Sequence, residues 1–430
     1  MAGITLLLWI PGMWLATIAF NLLTNTLLKA WEWPTVRLLQ RLPIAKYSGA
    51  CVILWGMILA LFAVVHDFKG AAVIRVLLGA FEAAVTPGFA LITSQWYRKS
   101  EQGSRTGIWF SFNGFAQIFG GLVAYGIAVT QKDNSSLAPW KILFIFTGGL
   151  TVVVGVLFLV LVPDSQLKAR WLNESDRILA VARVRDNQQG IGNKHFKRYQ
   201  FIEAFKDPQV WAFVFYAIAS NIPNGGITNF FSQLIVSFGY TPTKALLLGT
   251  PAGAVEVVTL LFCGWFGDRY QKRLLVSLVG LSIAIIGVIL LVALPDDAKV
   301  GKLVGYSLTL AGPAPFVALL SLISSNIAGY TKKTTAAGLY LIFYCVGNII
   351  GILSSQSSFS VQRSALTLLG PQTFRPSQAP RYVPAIITIL VCYALCAVDV
   401  VFIWWYCIYM NKRKAAIRAE ALYVKVEHSE

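Results

Sequence analysis

Four charged side chains fall inside long apolar runs of the chain: Arg75, Glu82, Glu256 and Asp399. A charge near the centre of a bilayer costs about 2.5–3.5 kcal/mol on insertion scales, so each is a functional candidate. Arg75 and Glu82 stand seven residues apart, two helical turns, and share one face of a helix. Arginine stays charged and its planar fork binds both oxygens of a carboxylate, so Arg75 is suited to hold an anion. A carboxyl in low dielectric can load and release a proton, which is the chemistry open to Glu82. A structural ion pair that fixes the helix is the alternative for both. Glu256, in mid-run, is either a second proton site or the partner of a polar neighbour. Asp399 lies toward the end of the last run, where a structural role is the simpler expectation.

Polar groups gather in three other runs: Asn113, Gln117 and Tyr125; Tyr216, Asn221, Asn224 and Asn229; and Tyr340, Tyr344 and Asn348. Pro223 with Gly225 and Gly226 predicts a broken helix near the membrane midplane, where backbone groups become available to a ligand. Amides there would bond ureido or carboxyl groups. Hydrogen bonding between helices is the alternative for any single member.

Other chemistry finds no support. The six cysteines all sit in apolar runs, without CxxC or ligand spacing, and the three histidines are scattered at 66, 195 and 428. No metal and no cofactor is expected. Neither a nucleophile–base constellation nor a phosphate-cradling loop occurs, so an enzyme is not expected.

The elements that must position these groups follow from composition. Of 430 residues, 56% are apolar and 13% charged, with mean hydropathy +0.64. The charged share is about half that of a soluble domain, and a single soluble core stops growing near ~250–300 residues. The chain reads as an all-α integral membrane protein. Eleven spans are predicted, over 4–28, 47–65, 71–95, 106–130, 142–162, 209–236, 245–265, 274–294, 303–329, 334–353 and 384–409. Of the 36 Lys and Arg, 26 fall in segments 29–46, 96–105, 163–208, 266–273, 330–333 and 410–430. Positive charge marks the cytoplasmic side, which places the C-terminus there. The net charge of +17 is thus a topology signal, and nucleic acid is not an expected partner. An odd number of spans leaves the N-terminus outside with no signal peptide, as though one span were missing.

Four parts are expected: a first transmembrane half over 1–162, a cytoplasmic linker over 163–208, a second half over 209–409 and a tail over 410–430. In the linker, Asn173 or Ser175 opens an amphipathic helix lying on the inner membrane face, with Ile178, Leu179, Val181 and Val184 along it. Asn134-Ser-Ser lies in an outer loop and is a glycosylation site; Asn173-Glu-Ser, on the inner side, is not.

The loop after the seventh span, Gly264-Trp-Phe-Gly-Asp268-Arg269-Tyr-Gln-Lys272-Arg273, resembles the G-x-x-x-D-R-x-x-K-R pattern between the second and third helices of each half of major facilitator transporters. Its equivalent in the first half, Leu38 to Lys46, keeps the bases and loses the acid. Further stretches resemble the anion:cation symporters, and among them the fungal allantoate-permease-like transporters. They begin at Arg75-Val-Leu-Leu-Gly, Ser111-Phe-Asn113-Gly, Ala180-Val-Ala-Arg and Pro223-Asn224-Gly-Gly. The resemblance covers about residues 31–410 and implies a major facilitator fold of two pseudo-repeated six-helix halves. It departs twice. The helix expected before Trp31 is absent or replaced by residues 1–28, and residues 352–370 read as an in-frame insert, a genuine outer loop being the alternative.

The resemblance implies import of a small organic anion, allantoate or another ureido or carboxylate compound, with protons, by a monomer in the plasma membrane or an internal one. Arg75 would be the anion ligand and Glu82 the proton-responsive acid. Charges of the 264–273 loop would pair with neighbouring helix ends and lock one conformation. Two alternatives stay open: an inactive or sensor-like remnant, or an exporter of small metabolites. Against the exporter, Gly114-Phe-Ala-Gln-Ile-Phe-Gly-Gly lacks the Gly-Pro of drug antiporters.

Overall fold

The computed structural model describes residues 34–35, 38–39, 41–130, 137–187, 197–295, 297–327, 329–356 and 383–427, and among them every regular element is helical. In the first part run α1 (Ile44–Leu61), α2 (Phe68–Glu82), α3 (Val85–Trp96), α4 (Gln102–Thr130) and α5 (Pro139–Leu161). The connecting stretch carries α6 (Glu174–Val184) and α7 (Arg198–Lys206). The second part holds α8 (Pro208–Ser237), α9 (Pro242–Leu248), α10 (Thr250–Arg269), α11 (Arg273–Ala293), α12 (Lys299–Thr309), α13 (Ala314–Asn326), α14 (Tyr330–Gln356) and α15 (Val383–Glu427). Among the described residues nine helices or helix pairs are long and apolar enough to cross a membrane. α8, at 30 residues, is long enough as well. Ten of the eleven predicted spans therefore fall on helices. The span at 4–28, the sequon at Asn134 and most of the 352–370 stretch lie outside the described residues.

The starts follow ordinary end chemistry. Asp67 accepts the Gly70 N–H at 3.2 Å, Asp207 that of Gln209 at 3.0 Å, and proline occupies the first turn of α5, α8, α9 and α10, where its missing N–H costs nothing. Asn173 stands at the cap position of α6 without a capping bond. Ile178 and Leu179 of α6 are exposed, as are Tyr199 and Ile202 of α7.

Three predicted spans are each two helices. α2 stops at Glu82 and α3 begins at Val85; α9 and α10 divide at Gly249; α12 and α13 divide between Leu310 and Pro313. Proline four residues on explains each, since its ring meets the carbonyl of residue i−4: Pro87 faces Ala83, Pro251 faces Leu247, and Pro313 and Pro315 face Thr309 and Ala311. Pro223 behaves otherwise, and the expected break there is corrected. α8 runs through it unbroken. Gly225 and Gly226 do not open the helix; a Cβ on Gly225 would collide with the Asn348 carbonyl oxygen of α14. The glycines bring two helices together.

The same device recurs across the bundle. A Cβ on Gly56 of α1 would lie 2.8 Å from the Gly148 oxygen of α5, and one on Gly287 of α11 would lie 2.6 Å from the Gly305 oxygen of α12. Where α4 of the first part crosses α10 of the second, Gly114 would meet the Gly253 oxygen at 2.5 Å and Gly253 the Gly114 oxygen at 2.6 Å. Such small-residue contacts let backbones touch where lipid offers helices no hydrophobic reason to associate. Gly120, on the same helix, has open space around it. We therefore expect Gly114→Ala to reduce the yield of monodisperse protein in detergent several-fold and Gly120→Ala to leave it unchanged. Equal yields for the two variants would remove this account of the crossing.

Candidate functional site

Arg75 and Glu82 sit on α2 as their spacing requires, and each feels the charge of the other. The Arg75 guanidinium also lies over the Phe62 ring, 5.4 Å from its centre. Glu82 is the final residue of α2, so its carboxyl stands at the interruption that Pro87 imposes, and it keeps accessible surface. Its charge reaches Tyr344 of α14, and so does that of Glu256 of α10. Glu256 is buried and acts also on Tyr306 of α12. Tyr306 in turn accepts from Gln117 of α4, whose Nε2 lies 3.3 Å from the phenol oxygen and 3.1 Å from the Gly249 carbonyl. Two acids, two phenols and an amide from both parts of the chain thus gather around one level of the bundle, with Arg75 two helical turns further along α2.

Other predicted residues are divided. Asn113 lies one turn before Gln117 and is exposed. Asn224 donates to the Asn348 side-chain oxygen at 3.0 Å, and Asn348 donates to Asn221 at 3.4 Å and to the Tyr344 carbonyl at 3.1 Å. Asn221 is buried and gives its own amide to the Ala217 carbonyl at 2.8 Å. It bonds α8 to α14 and does not join the central group. Asn229 lies on α8, its side chain outside the described residues. Tyr340 spends its hydroxyl on the Phe316 carbonyl. Asp399 is buried away from the central group among Tyr216, Tyr340 and Cys396.

The 264–273 loop forms a second constellation at the other end of α10. The Asp268 and Arg273 side chains, each 8% exposed, pair at 2.6 Å. Asp268 also accepts the Ser104 N–H at 2.5 Å and the Ser104 hydroxyl at 2.7 Å. Arg273 donates onward to Ser321 at 3.0 Å and to the Lys99 carbonyl. Ser104 opens α4, so this buried pair ties the first part of the chain to the second. Gly264 supplies a carbonyl to the Ser104 hydroxyl at 3.2 Å. Arg269 and Lys272 point to solvent and stay outside the bracket. Nothing in the spacing of the loop names Ser104, Lys99 or Ser321 as its partners, because they come from other helices.

The connecting helices brace the same end. Arg183 of α6 pairs with Glu101 at 2.6 Å, and Lys332 of α14 with Glu203 and Asp207 at 2.7 Å each. Burial pushes the Glu101 carboxyl up, but hydrogen bonds from Arg183 and the Arg98 N–H outweigh it and hold it below its usual range. In the first part, the acid missing from the 38–46 loop comes from elsewhere. Asp164, just past α5, accepts the Lys46 N–H at 3.1 Å and lies 3.9 Å from its ammonium.

Paired helices with a buried acid–base bracket between the two parts match a known pattern. The profile of the Major Facilitator Superfamily covers residues 33–352. The chain belongs to this superfamily. The transporter is 40% identical to the uncharacterized transporter C417.10 of Schizosaccharomyces pombe, over 93% of its own chain and 73% of that one. It is 36% identical to the allantoate permease of Saccharomyces cerevisiae, over 88% of its own chain and 67% of the relative. Among solved structures, the proton:xylose symporter XylE superposes with a TM-score of 0.63 at 13% identity, covering 91% of this chain and 85% of that one. At that identity the likeness speaks for the fold. The transporter is a multi-pass membrane protein of fungal-permease kinship, and among its described residues no cluster of His, Cys, Asp or Glu could hold a metal.

Proposed function

We propose that this transporter imports a small organic anion together with protons, its two halves (1–162 and 209–409, joined by the 163–208 linker) rocking about the central group as a monomer in the plasma membrane. The observation that carries the reading is the placement of Arg75 and Glu82 on one helix face, with Glu82 at a helix interruption and its charge reaching Tyr344 of the other half. Arg75 grips the carboxylate of the incoming anion. Glu82 takes up a proton with it, and Glu256, buried within reach of Tyr306 and Tyr344, is the second site at which a proton can rest. Gln117, Asn113, Asn224 and Tyr344 supply neutral hydrogen bonds. With Asp268 and Arg273 bracketed against α4, the cytoplasmic side is shut and the site faces outward; release requires that bracket to open. A ureido carboxylate is the substrate we favour, given the amides available and the kinship with an allantoate permease.

The test is uptake of labelled allantoate into proteoliposomes of the full chain under an imposed pH gradient. Accumulation should follow the gradient and collapse when it is dissipated. Arg75→Lys keeps the charge but loses the bidentate fork, and should raise KM about tenfold with kcat little changed, the value of one good charge-assisted bond. Accumulation indifferent to the gradient would sink proton coupling, and an unaltered KM in Arg75→Lys would sink the role of Arg75. The exporter is told apart by reversing the gradient.

A further inference from the structure

α7 turns its apolar side outward. Gln200 accepts the Thr331 N–H of α14 at 3.2 Å, Glu203 pairs with Lys332, and Ala204 is buried beside them. The outer side carries Tyr199, Ile202 and Phe205, all exposed, with Arg198 and Lys206 exposed among them. At about 100° per residue these five fall within about a third of the circumference. A helix that presents apolar and basic groups together is suited to lie at a membrane surface, its apolar side sunk into the headgroup boundary. The chain holds α7 at that level. A single residue, Asp207, separates it from the span α8, and the Trp211 indole N–H donates to the Phe205 carbonyl at 2.8 Å.

The end of α15 completes the patch. Gln209 of α8 reaches Cys407 at 3.5 Å, and Tyr406 feels the charges of Asp207, Lys332 and Arg413 together. Trp211, Trp405 and Tyr409 are exposed, as in the aromatic belts that mark a membrane–water boundary. Lys412 and Arg413 follow just beyond them, also exposed. The acids of this neighbourhood, Glu203 and Asp207, are both spent on Lys332. That leaves one sign of charge, from Lys197, Arg198, Lys206, Lys412 and Arg413, and none of these five enters an ion pair among the described residues. Clusters of about four to eight such residues just inside a span attract anionic lipid. We propose that α7 and the end of α15 form a binding surface for acidic phospholipid of the cytoplasmic leaflet. The cations hold its headgroup, and Ile202 and Phe205 lie against its acyl chains. The surface belongs to the second half and does not depend on which solute is carried.

The experiment measures thermal stabilisation of the full-length transporter in non-ionic detergent by added phosphatidylserine and by phosphatidylcholine with the same acyl chains. Phosphatidylserine should act at far lower concentration, and salt at about 1 M, where the screening length is ~3 Å, should close most of the gap. Each Lys or Arg near a charged surface strengthens attachment about fivefold. Arg198→Gln, Lys206→Gln and Arg413→Gln together should therefore weaken the phosphatidylserine response about a hundredfold and leave that to phosphatidylcholine in place. Lys206→Gln alone should weaken it about fivefold, and decides if the triple variant does not fold. Lys168, Arg170 and Arg185, exposed in the linker before α7, serve as the control; their glutamine triple removes as much charge and should change nothing. A wild type that responds alike to both lipids overturns the proposal, as does an unaltered phosphatidylserine response in the α7 variants. Equal loss in the two triples would reduce the effect to net charge, and equal stabilisation by inorganic phosphate would remove the lipid; either also overturns it.

Discussion

Glu82→Gln should lose pH-driven accumulation of anion by about a hundredfold, the upper end of what one coupling between two bound species supplies, while exchange of anion across the membrane continues. The amide imitates the protonated acid, so the carrier stays loaded and can shuttle anion inward and outward. What it cannot do is release a proton on one side, and the gradient then drives nothing. A merely structural Glu82 predicts something different, loss of accumulation and exchange together, because Arg75 would be left without its counter-charge on α2. Measuring both processes on one preparation separates the two. Accumulation that survives in Glu82→Gln would transfer the proton role to Glu256, the other acid acting on Tyr344.

The second large effect concerns Asp268. Asn there removes the partner of Arg273 in a site where both side chains are 8% exposed, and weakens two bonds from Ser104. Stranding one member of a buried ion pair costs about 3–5 kcal/mol. Because the pair reaches across the halves, that cost falls on the conformation in which they meet. Asp268→Asn should therefore shift the transporter toward the cytoplasm-open form by two to three orders of magnitude. Spin labels near the start of α4 and the end of α10 would report it as a longer distance. Arg269→Gln and Lys272→Gln, outside the bracket, should leave the distance unaltered. A distance unchanged in Asp268→Asn would show that the bracket does not hold the halves together.

What the sequence makes legible, and what it does not, follows a physical line. Ten spans are readable because hydrophobic length is a property of contiguous residues. The spacing of Arg75 and Glu82 is readable because helical periodicity is local. The interruption at Ala83 is readable in principle from Pro87, yet the same rule misleads at Pro223, where α8 stays whole. There the deciding factor is a neighbour, α14, packed on Gly225. Asn221 shows the same limit. Its amide is the right chemistry for a ligand, but the carbonyl of Ala217 claims it first. Asp164 completing the 38–46 loop and Ser104 completing the 264–273 loop are contacts between residues more than a hundred positions apart, and no local pattern encodes them.

The Gly114–Gly253 crossing sets the mechanics of the bracket. Ten residues separate Gly114 from Ser104, an arm of about 15 Å. At the crossing the backbones touch, with Val257 and Ile118 packed beside them, and Gly107 against Leu260 and Gly264 against Gly103 continue the close approach toward the bracket. A tilt of only about 5° swings the far end of such an arm by about 1.3 Å, enough to carry a 2.5 Å hydrogen bond beyond bonding range. An arm this long turns a small tilt at the crossing into a larger displacement at the bracketed end.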